Sequence, residues 1–316
     1  MSRKSAKMAV TYIVTILLTL VVVGGVIWYM AEYMLFTDKK DPTSGVHLEQ
    51  MVSTADYTPT DADNRTLLLI LDAEKRQSAA CFVVTRFLAE EKQVIFLALP
   101  TTTKCPSGDS LYDVYRNGGT TAAVSAAESL LGLDIDKYIK FNSESFGTIV
   151  SIFGGVDYDV PYNLIYDNPS TGEETIIREG RTYLDSTTMR KVLTYPNYKA
   201  GEEYRARCTG LILSEMLNDG VNSKFPANMD DYFSGVINSD IETDITKYDY
   251  DEVAAAMKYV AAESDRISMF VTASGTEDEN GLYELDKNFV KSLTEWLKLY
   301  DETATSETSS PKGILD

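Results

Sequence analysis

The sequence predicts an α/β fold, and two observations carry that prediction. Three short apolar runs follow one another between residues 67 and 99, and charged or turn-forming residues bound each of them. Short apolar runs of this kind are typical of buried strands. Further along, segments with a helical spacing of apolar residues alternate with short extended runs, which indicates helices packed on a buried sheet. Hydrophobic residues make up 44% of the 316 residues, so a disordered chain is excluded.

The first 64 residues are predicted to be an anchor and a linker. Met8–Ala31 contains no charged residue and is long enough to span a bilayer. Because residues 1–7 contain basic residues and no acidic one, they are predicted to be a cytoplasmic tail, with the main domain extracytoplasmic. Residues 32–64 are polar and predicted to be an extracytoplasmic linker. We therefore expect a single-pass protein of the cell membrane. A cleaved signal peptide is the alternative, which the long apolar core disfavours.

Local patterns give the elements of the predicted domain, residues 65–300. Thr120–Leu131 places its apolar residues on one helical face and ends at Gly132. Ser145–Phe153 has the same spacing and ends at Gly154-Gly155. The other predicted elements are strands at Leu67–Leu71, Cys81–Thr85, Val94–Leu99, Lys137–Phe141, Val156–Val160 and Arg266–Ala273, a hairpin or irregular excursion at Asn163–Gly180, a short helix capped by Asp185, helices at Arg205–Leu217 and Tyr250–Ala262, and a final amphipathic helix over Phe289–Tyr300.

Composition narrows the function. The formal net charge of −19 argues against nucleic acid and against an anionic lipid surface as partners. The single histidine, His47, lies in the predicted linker, which argues against a histidine zinc site or a Ser-His-Asp triad. The three cysteines, Cys81, Cys105 and Cys208, leave at least one without an intramolecular partner. Residues 301–316 are rich in Ser, Thr and Glu and are predicted to be a disordered tail.

Four motifs stand in order along the chain. They are the pair Gly118-Gly119, the IDKY segment Ile135–Tyr138, the run FGGVD at Phe153–Asp157 and IETDITKY at Ile241–Tyr248. In this order they resemble the LytR-CpsA-Psr (LCP) family of membrane-anchored proteins of Gram-positive envelopes, over most of residues 67–297. The resemblance implies a mixed central sheet flanked by helices, with a groove for a lipid tail. It also implies contact with a polyprenyl-linked glycopolymer or peptidoglycan, since family members transfer such a polymer from a polyprenyl pyrophosphate to peptidoglycan.

The site that the resemblance implies needs carboxylates for a hard cation and arginines for a pyrophosphate. Asp72 matches the first family aspartate and is the expected ligand for Mg²⁺, but Ala79 falls on or beside the second. Arg76 lies close to one family arginine, and Thr101 stands where the pyrophosphate arginine is expected. The carboxylates and arginines that the resemblance implies are therefore only partly present.

Arg205 and Arg207 compete for one further family arginine, and their spacing does not choose between them. From the residues alone, each could instead pair with acidic surface residues. Asp72 could simply end a strand, Arg76 could be a solvated charge, and Thr101 could cap a loop. The candidate ligand-binding residues are Asp72, Arg76, Thr101, Arg205 and Arg207. No catalytic residue is assigned.

These observations favour an LCP-like envelope protein whose transferase site is degenerate and which binds a polyprenyl-linked glycopolymer, a glycan or an envelope partner. The alternatives are an active LCP-type phosphotransferase and an unrelated extracellular binding or adhesion domain. Cys105 and Cys208 fall near the place where the family's arginines converge. Either a disulfide or two separate thiols is open there, with separate thiols favoured.

Overall fold

The computed structural model describes residues 57–72, 80–167, 174–222, 224–263 and 266–293. The predicted cytoplasmic tail, the predicted membrane segment, Arg76, Ala79 and the predicted C-terminal tail lie outside the described residues. Among the helices of the described ranges, none combines the length and apolar character needed to cross a membrane.

The elements are numbered here along the chain. The strands are β1 (Arg65–Leu71), β2 (Cys81–Leu88), β3 (Gln93–Leu99), β4 (Lys137–Phe141), β5 (Val156–Val160), β6 (Leu164–Asp167), β7 (Glu174–Ile177), β8 (Gly180–Leu184), β9 (Glu242–Thr243), β10 (Ser268–Thr272), β11 (Gly275–Glu277) and β12 (Tyr283–Leu285). The helices are α1 (Leu111–Leu131), α2 (Ser143–Phe153), α3 (Ser186–Leu193), α4 (Gly201–Gly220), α5 (Phe225–Ile237) and α6 (Lys247–Glu263). Residues 287–293 are also helical.

Six strands form one mixed sheet in the order β10-β3-β2-β1-β4-β9. Strand β1 is parallel to β4 and β3 is parallel to β10, whereas β2 is antiparallel to both β1 and β3. Strands β1, β3, β4 and β10 therefore all end at the same edge of the sheet, which we call the carboxyl edge. Asp72 and Thr101, which follow β1 and β3, lie along this edge.

Helices cover both faces of the sheet, so the central strands are buried on both sides. Alternate side chains of β2 and β3, such as Val83 and Ala98, pack with α2, α3 and α4 on one face. Their neighbours, such as Phe82 and Leu97, pack with α1 on the other. Burial on both faces explains why these strands are almost continuously apolar in sequence.

Most predicted elements are confirmed, including the hairpin within Asn163–Gly180, which is β6–β7. The predicted start of a helix at Thr120 is wrong, because α1 begins at Leu111 and is capped by Ser110. The backbone of α1 breaks at Gly119, whose φ is 70° and ψ −164°, a conformation that favours glycine. The sequence pattern therefore identified only the half of the helix that follows the break.

Two further differences lie in the helices that follow β8. The predicted start of a helix at Arg205 is also wrong, because α4 begins at Gly201. Glu202 and Glu203 occupy its first turn, where negative charge is favourable. Helix α5 was not predicted at all.

Candidate functional site

The carboxyl edge brings together Asp72, Thr101 and Arg205, three of the five predicted ligand-binding residues. Asp72 and Thr101 follow strands that are separated by β2, so they lie about 10 Å apart across the sheet. Arg205 comes from the first turns of α4, which packs on β3 and β10. Arg76 lies outside the described residues.

Arg205 is only 2% exposed, and its own chain uses all of its donors. Its Nε and Nη2 bind the two carboxylate oxygens of Glu202, at 2.9 and 2.6 Å. Its Nη1 donates to the carbonyl oxygen of Leu193 at 2.9 Å and to Sγ of Cys81 at 3.2 Å. A second Nη2 hydrogen bond reaches the carbonyl oxygen of Ala80 at 3.0 Å. A guanidinium has five N–H donors, so none is left for a ligand.

Thr101 also binds the Glu202 carboxylate, at the oxygen that accepts from Nη2 of Arg205. Its hydroxyl donates a short hydrogen bond to Oε2 of Glu202, and its backbone N–H lies 3.3 Å from the same oxygen. Burial opposes ionisation of Glu202, but the hydrogen bonds from Arg205 and Thr101 outweigh it and lower the pKa of this carboxyl. The Glu202 carboxylate is therefore ionised, and it occupies the position between Thr101 and Arg205.

Asp72 belongs to a second polar group on the same edge. Lys140, near the end of β4, places its Nζ 3.9 Å from Oδ2 of Asp72 and 2.9 Å from Oε2 of Glu242. The other Glu242 oxygen accepts a hydrogen bond from Oγ1 of Thr120 at 2.7 Å. Nearby, burial and then the charge of Asp72 raise the pKa of Tyr115 to about 12, so this phenol stays protonated at neutral pH.

The residues described around Asp72 do not fit the expected Mg²⁺ ion. A hard cation needs several oxygen ligands at ~2.0–2.6 Å. Among the described residues, the ion-pair partner of Asp72 is instead the ammonium of Lys140. In the part of the chain that the structure describes, no three His, Cys, Asp or Glu side chains are grouped so that they could hold a metal.

Arg205 and Arg207, between which the sequence did not choose, lie in different surroundings in the structure. Residues two apart on a helix point about 200° away from one another. Arg205 is buried at the carboxyl edge, whereas Arg207 is exposed. Arg207 makes no hydrogen bond or ion pair with the described residues. Arg205 is therefore the arginine that binds the same Glu202 carboxylate as Thr101.

The three cysteines are free and buried. Cys105 packs in the core on the α1 face of the sheet, whereas Cys208 packs in the core on the opposite face. The predicted alternative of a disulfide between them is therefore wrong, and the separate thiols are confirmed. The thiol of Cys208 accepts a hydrogen bond from the hydroxyl of Tyr158 at 3.0 Å.

A mostly apolar cavity of about 300 Å³ lies beside the other end of the sheet, between it and helices α5 and α6. Leu67, Thr85, Val94 and Ile139 form its floor. At ~3.3 Å per residue, Leu67 lies about 17 Å along β1 from Asp72. Its helical walls include Phe225, Met229 and Phe233 of α5 and Tyr250, Val253 and Met257 of α6. The volume is at the lower end of the range for ligand pockets.

Charged residues that line the cavity are paired with one another or with neighbours. Lys137 lies 3.0 Å from Asp249, and Arg65 lies 3.5 Å from Glu252. Hydrogen bonds from Thr246, aided by Lys137, lower the pKa of Asp249 to about 2. The charges in this lining are therefore balanced, which suits an uncharged occupant.

The sequence interpretation missed α5, which is one of the two helices that line the cavity. The signal was present, because Phe225, Met229, Phe233 and Ile237 follow one another at four-residue steps and form one apolar helical face. Pro226, in the first turn, is a further mark of a helix start.

Comparisons with known proteins agree with this architecture. The model of the LytR_cpsA_psr family matches residues 60–299. A polyisoprenyl-teichoic acid–peptidoglycan teichoic acid transferase, TagU of Bacillus licheniformis, is 29% identical over 192 residues. That match covers 60% of this chain and 60% of the length of TagU.

Solved structures show the same fold. A crystal structure of a protein from Eubacterium siraeum has a TM-score of 0.68 at 22% identity and covers 82% of this chain and 99% of the other. TagV of Bacillus subtilis has a TM-score of 0.58 at 19% identity and covers 77% of this chain and 98% of TagV. The family match over residues 60–299 removes the alternative of an unrelated adhesion domain. The chain belongs to the LytR_cpsA_psr family.

Proposed function

We propose that this protein is a membrane-anchored, extracytoplasmic LCP protein that binds the apolar chain of a polyprenyl-linked glycopolymer without transferring the polymer. The cavity between the sheet, α5 and α6 receives a segment of that chain. The name of TagU describes a transferase that joins polyisoprenyl-linked teichoic acid to peptidoglycan. That name supports the class of ligand, and the composition of the cavity supports a hydrocarbon segment as its occupant.

One observation supports the proposed loss of polymer transfer. All five donors of Arg205 are used within the chain. Its Nε and Nη2 both bind the Glu202 carboxylate. A pyrophosphate would have to displace an ionised carboxylate that Thr101 also holds. Burying further negative charge beside it without a new cation is unfavourable. The site therefore favours a lipid-binding role over phosphoryl transfer.

The test is a binding comparison on the full chain in lipid nanodiscs. Geranylgeraniol and geranylgeranyl pyrophosphate share one apolar chain and differ in the charged head. If the apolar segment supplies the affinity, their dissociation constants should agree within about threefold, with or without Mg²⁺. Val253→Trp, which fills the cavity, should weaken both ligands alike.

A working transferase is the second candidate, and the convergence of Asp72, Thr101 and Arg205 on one edge favours it. It requires a strong preference for the pyrophosphate that depends on Mg²⁺ and is lost in Asp72→Ala. That result would overturn the proposed binding role. Affinity for neither ligand, or no effect of Val253→Trp, would overturn the role of the cavity.

The anchor is part of the proposal, and its support is the uncharged segment Met8–Ala31 preceded by basic residues. We expect the chain to sediment with membranes and its domain to be cut by protease added to intact protoplasts. Deletion of residues 1–31 should release the domain from the membrane fraction. A full-length chain that stays in the soluble fraction would contradict the anchor.

A further inference from the structure

We propose that Lys140 is a built-in cation that takes the place of a divalent metal beside Asp72, so that this end of the site works without a metal ion. The inference extends the proposed function. It rests on that function in one respect, because it assumes that the charged part of the ligand lies at the carboxyl edge. It starts from the disagreement between the expected Mg²⁺ ion and the residues that surround Asp72.

The sheet itself fixes Lys140 next to Asp72. Strands β1 and β4 are parallel, with Ile70 opposite Lys140 and Leu71 opposite Phe141. The pairing continues past the end of β1, because the N–H of Asp72 donates to the carbonyl oxygen of Phe141 at 3.0 Å. The position of Lys140 is therefore set by strand register and does not depend on a flexible loop.

Two carboxylates converge on the Lys140 ammonium. Its Nζ lies 2.9 Å from Glu242 and 3.9 Å from Asp72. Hydrogen bonds from Thr120 and Lys140 lower the pKa of Glu242, which keeps this carboxyl ionised. The ammonium also lies 5.8 Å from the centre of the Tyr115 ring, a further attraction for a cation. These groups together form a cation position, and its occupant is part of the chain.

A divalent ion and the ammonium cannot share this position. A metal bound by both Asp72 and Glu242 would need to lie within ~2.6 Å of an oxygen of each, and Nζ already lies close to both, at 3.9 and 2.9 Å. At any nearby point the two positive charges would repel each other. Removal of the lysine charge would leave the two carboxylates facing one gap, and carboxylates are ligands that suit Mn²⁺ and Mg²⁺.

The test measures Mn²⁺ binding to the full chain by electron paramagnetic resonance and needs no lipid. Lys140→Gln should bind Mn²⁺ at least ~10-fold more tightly than the unaltered chain, since one repelling charge has gone. Adding Asp72→Asn to Lys140→Gln should abolish the gain. Lys137→Gln is the matched control, because Lys137 lies on the same strand and pairs with Asp249 at the opposite end of the sheet.

Two results would overturn the inference. One is Asp72-dependent binding of Mn²⁺ by the unaltered chain as tight as in Lys140→Gln. The other is an equal response of Lys140→Gln and Lys137→Gln. A gain of Mn²⁺ binding in Lys140→Gln together with failure of the lipid comparison in nanodiscs would support Lys140 as the cation beside Asp72 and remove the proposed function. The two outcomes are therefore distinguishable.

Discussion

Glu202 and Arg205 form a two-point ion pair near the start of α4, and the hydroxyl of Thr101 donates to the same carboxylate. Replacing Glu202 by Ala leaves the Arg205 charge buried without its partner. We expect Glu202→Ala to lower the free energy of unfolding by about 3–5 kcal/mol. Urea denaturation of the solubilised chain, followed by circular dichroism, measures this change.

The matched control for that prediction is Glu252→Ala. Glu252 pairs with Arg65 at 3.5 Å, and its side chain is 42% exposed. An exposed pair contributes little, so the change should stay below about 1 kcal/mol. Equal losses in the two variants would mean that the buried pair carries no special weight.

The same carboxylate makes stability depend on pH. The folded-state pKa of Glu202 lies below its unfolded value, so the stabilisation is present above the unfolded pKa, about 4.3, and is lost as the pH falls through the folded pKa. Glu202→Gln lacks this titration. The difference in urea midpoint between the unaltered chain and Glu202→Gln should therefore shrink as the pH falls from about 6 to 3. A difference that is constant over this range would contradict the prediction.

A threonine-to-valine substitution should change the free energy of unfolding in opposite directions at two buried threonines on neighbouring strands. The hydroxyl of Thr85 has no hydrogen-bond partner among the described residues, whereas that of Thr66 accepts a hydrogen bond from Nη1 of Arg86 at 2.6 Å. Thr85→Val should raise the free energy of unfolding by about 1 kcal/mol, and Thr66→Val should lower it by at least as much. Denaturation of both variants checks the pair. A loss of stability in Thr85→Val would show that its hydroxyl has a favourable partner.

At the scale of elements, the FGGVD turn joins α2 to β5 through a close backbone contact. A Cβ on Gly155 would lie 2.3 Å from the carbonyl oxygen of Leu184 and 2.7 Å from Cζ of Tyr183. Gly155→Ala should therefore cost about 1–3 kcal/mol, because backbone atoms must move apart. Gly147→Ala, within α2 where a Cβ would meet nothing within 4 Å, should instead gain about 0.5–1 kcal/mol. Thermal unfolding of the two variants decides between these signs.

The elements that could be predicted are those whose pattern is local. The strands at Leu67–Leu71 and Val94–Leu99 are apolar because they are buried on both faces, and the sequence alone indicates this. The break at Gly119 hid the first half of α1, since a helical pattern interrupted by two glycines reads as a start. The two-residue strand β9 has no pattern of its own. It is a strand only because it pairs with β4.

At the scale of the whole molecule, the shared sheet edge of Asp72 and Thr101 was predictable, and the contacts of Arg205 were not. Asp72 and Thr101 follow buried strands, and that position alone suggested a shared edge. The state of Arg205 depends on Ala80, Cys81 and Leu193, which reach it from distant parts of the chain. No spacing in the sequence encodes those contacts, so the sequence could not show whether the guanidinium is free.

The cavity between the sheet and helices α5 and α6 also has a mechanical consequence. Hydrostatic pressure favours states with less internal void volume, and unfolding eliminates whatever apolar space in this partly open cavity water leaves unfilled. A lipid segment that fills this space removes that advantage of the unfolded state. High-pressure fluorescence should therefore find a higher unfolding pressure with geranylgeraniol than without it, and Val253→Trp should reproduce the rise without ligand. The bound lipid segment would therefore stabilise the folded protein against pressure.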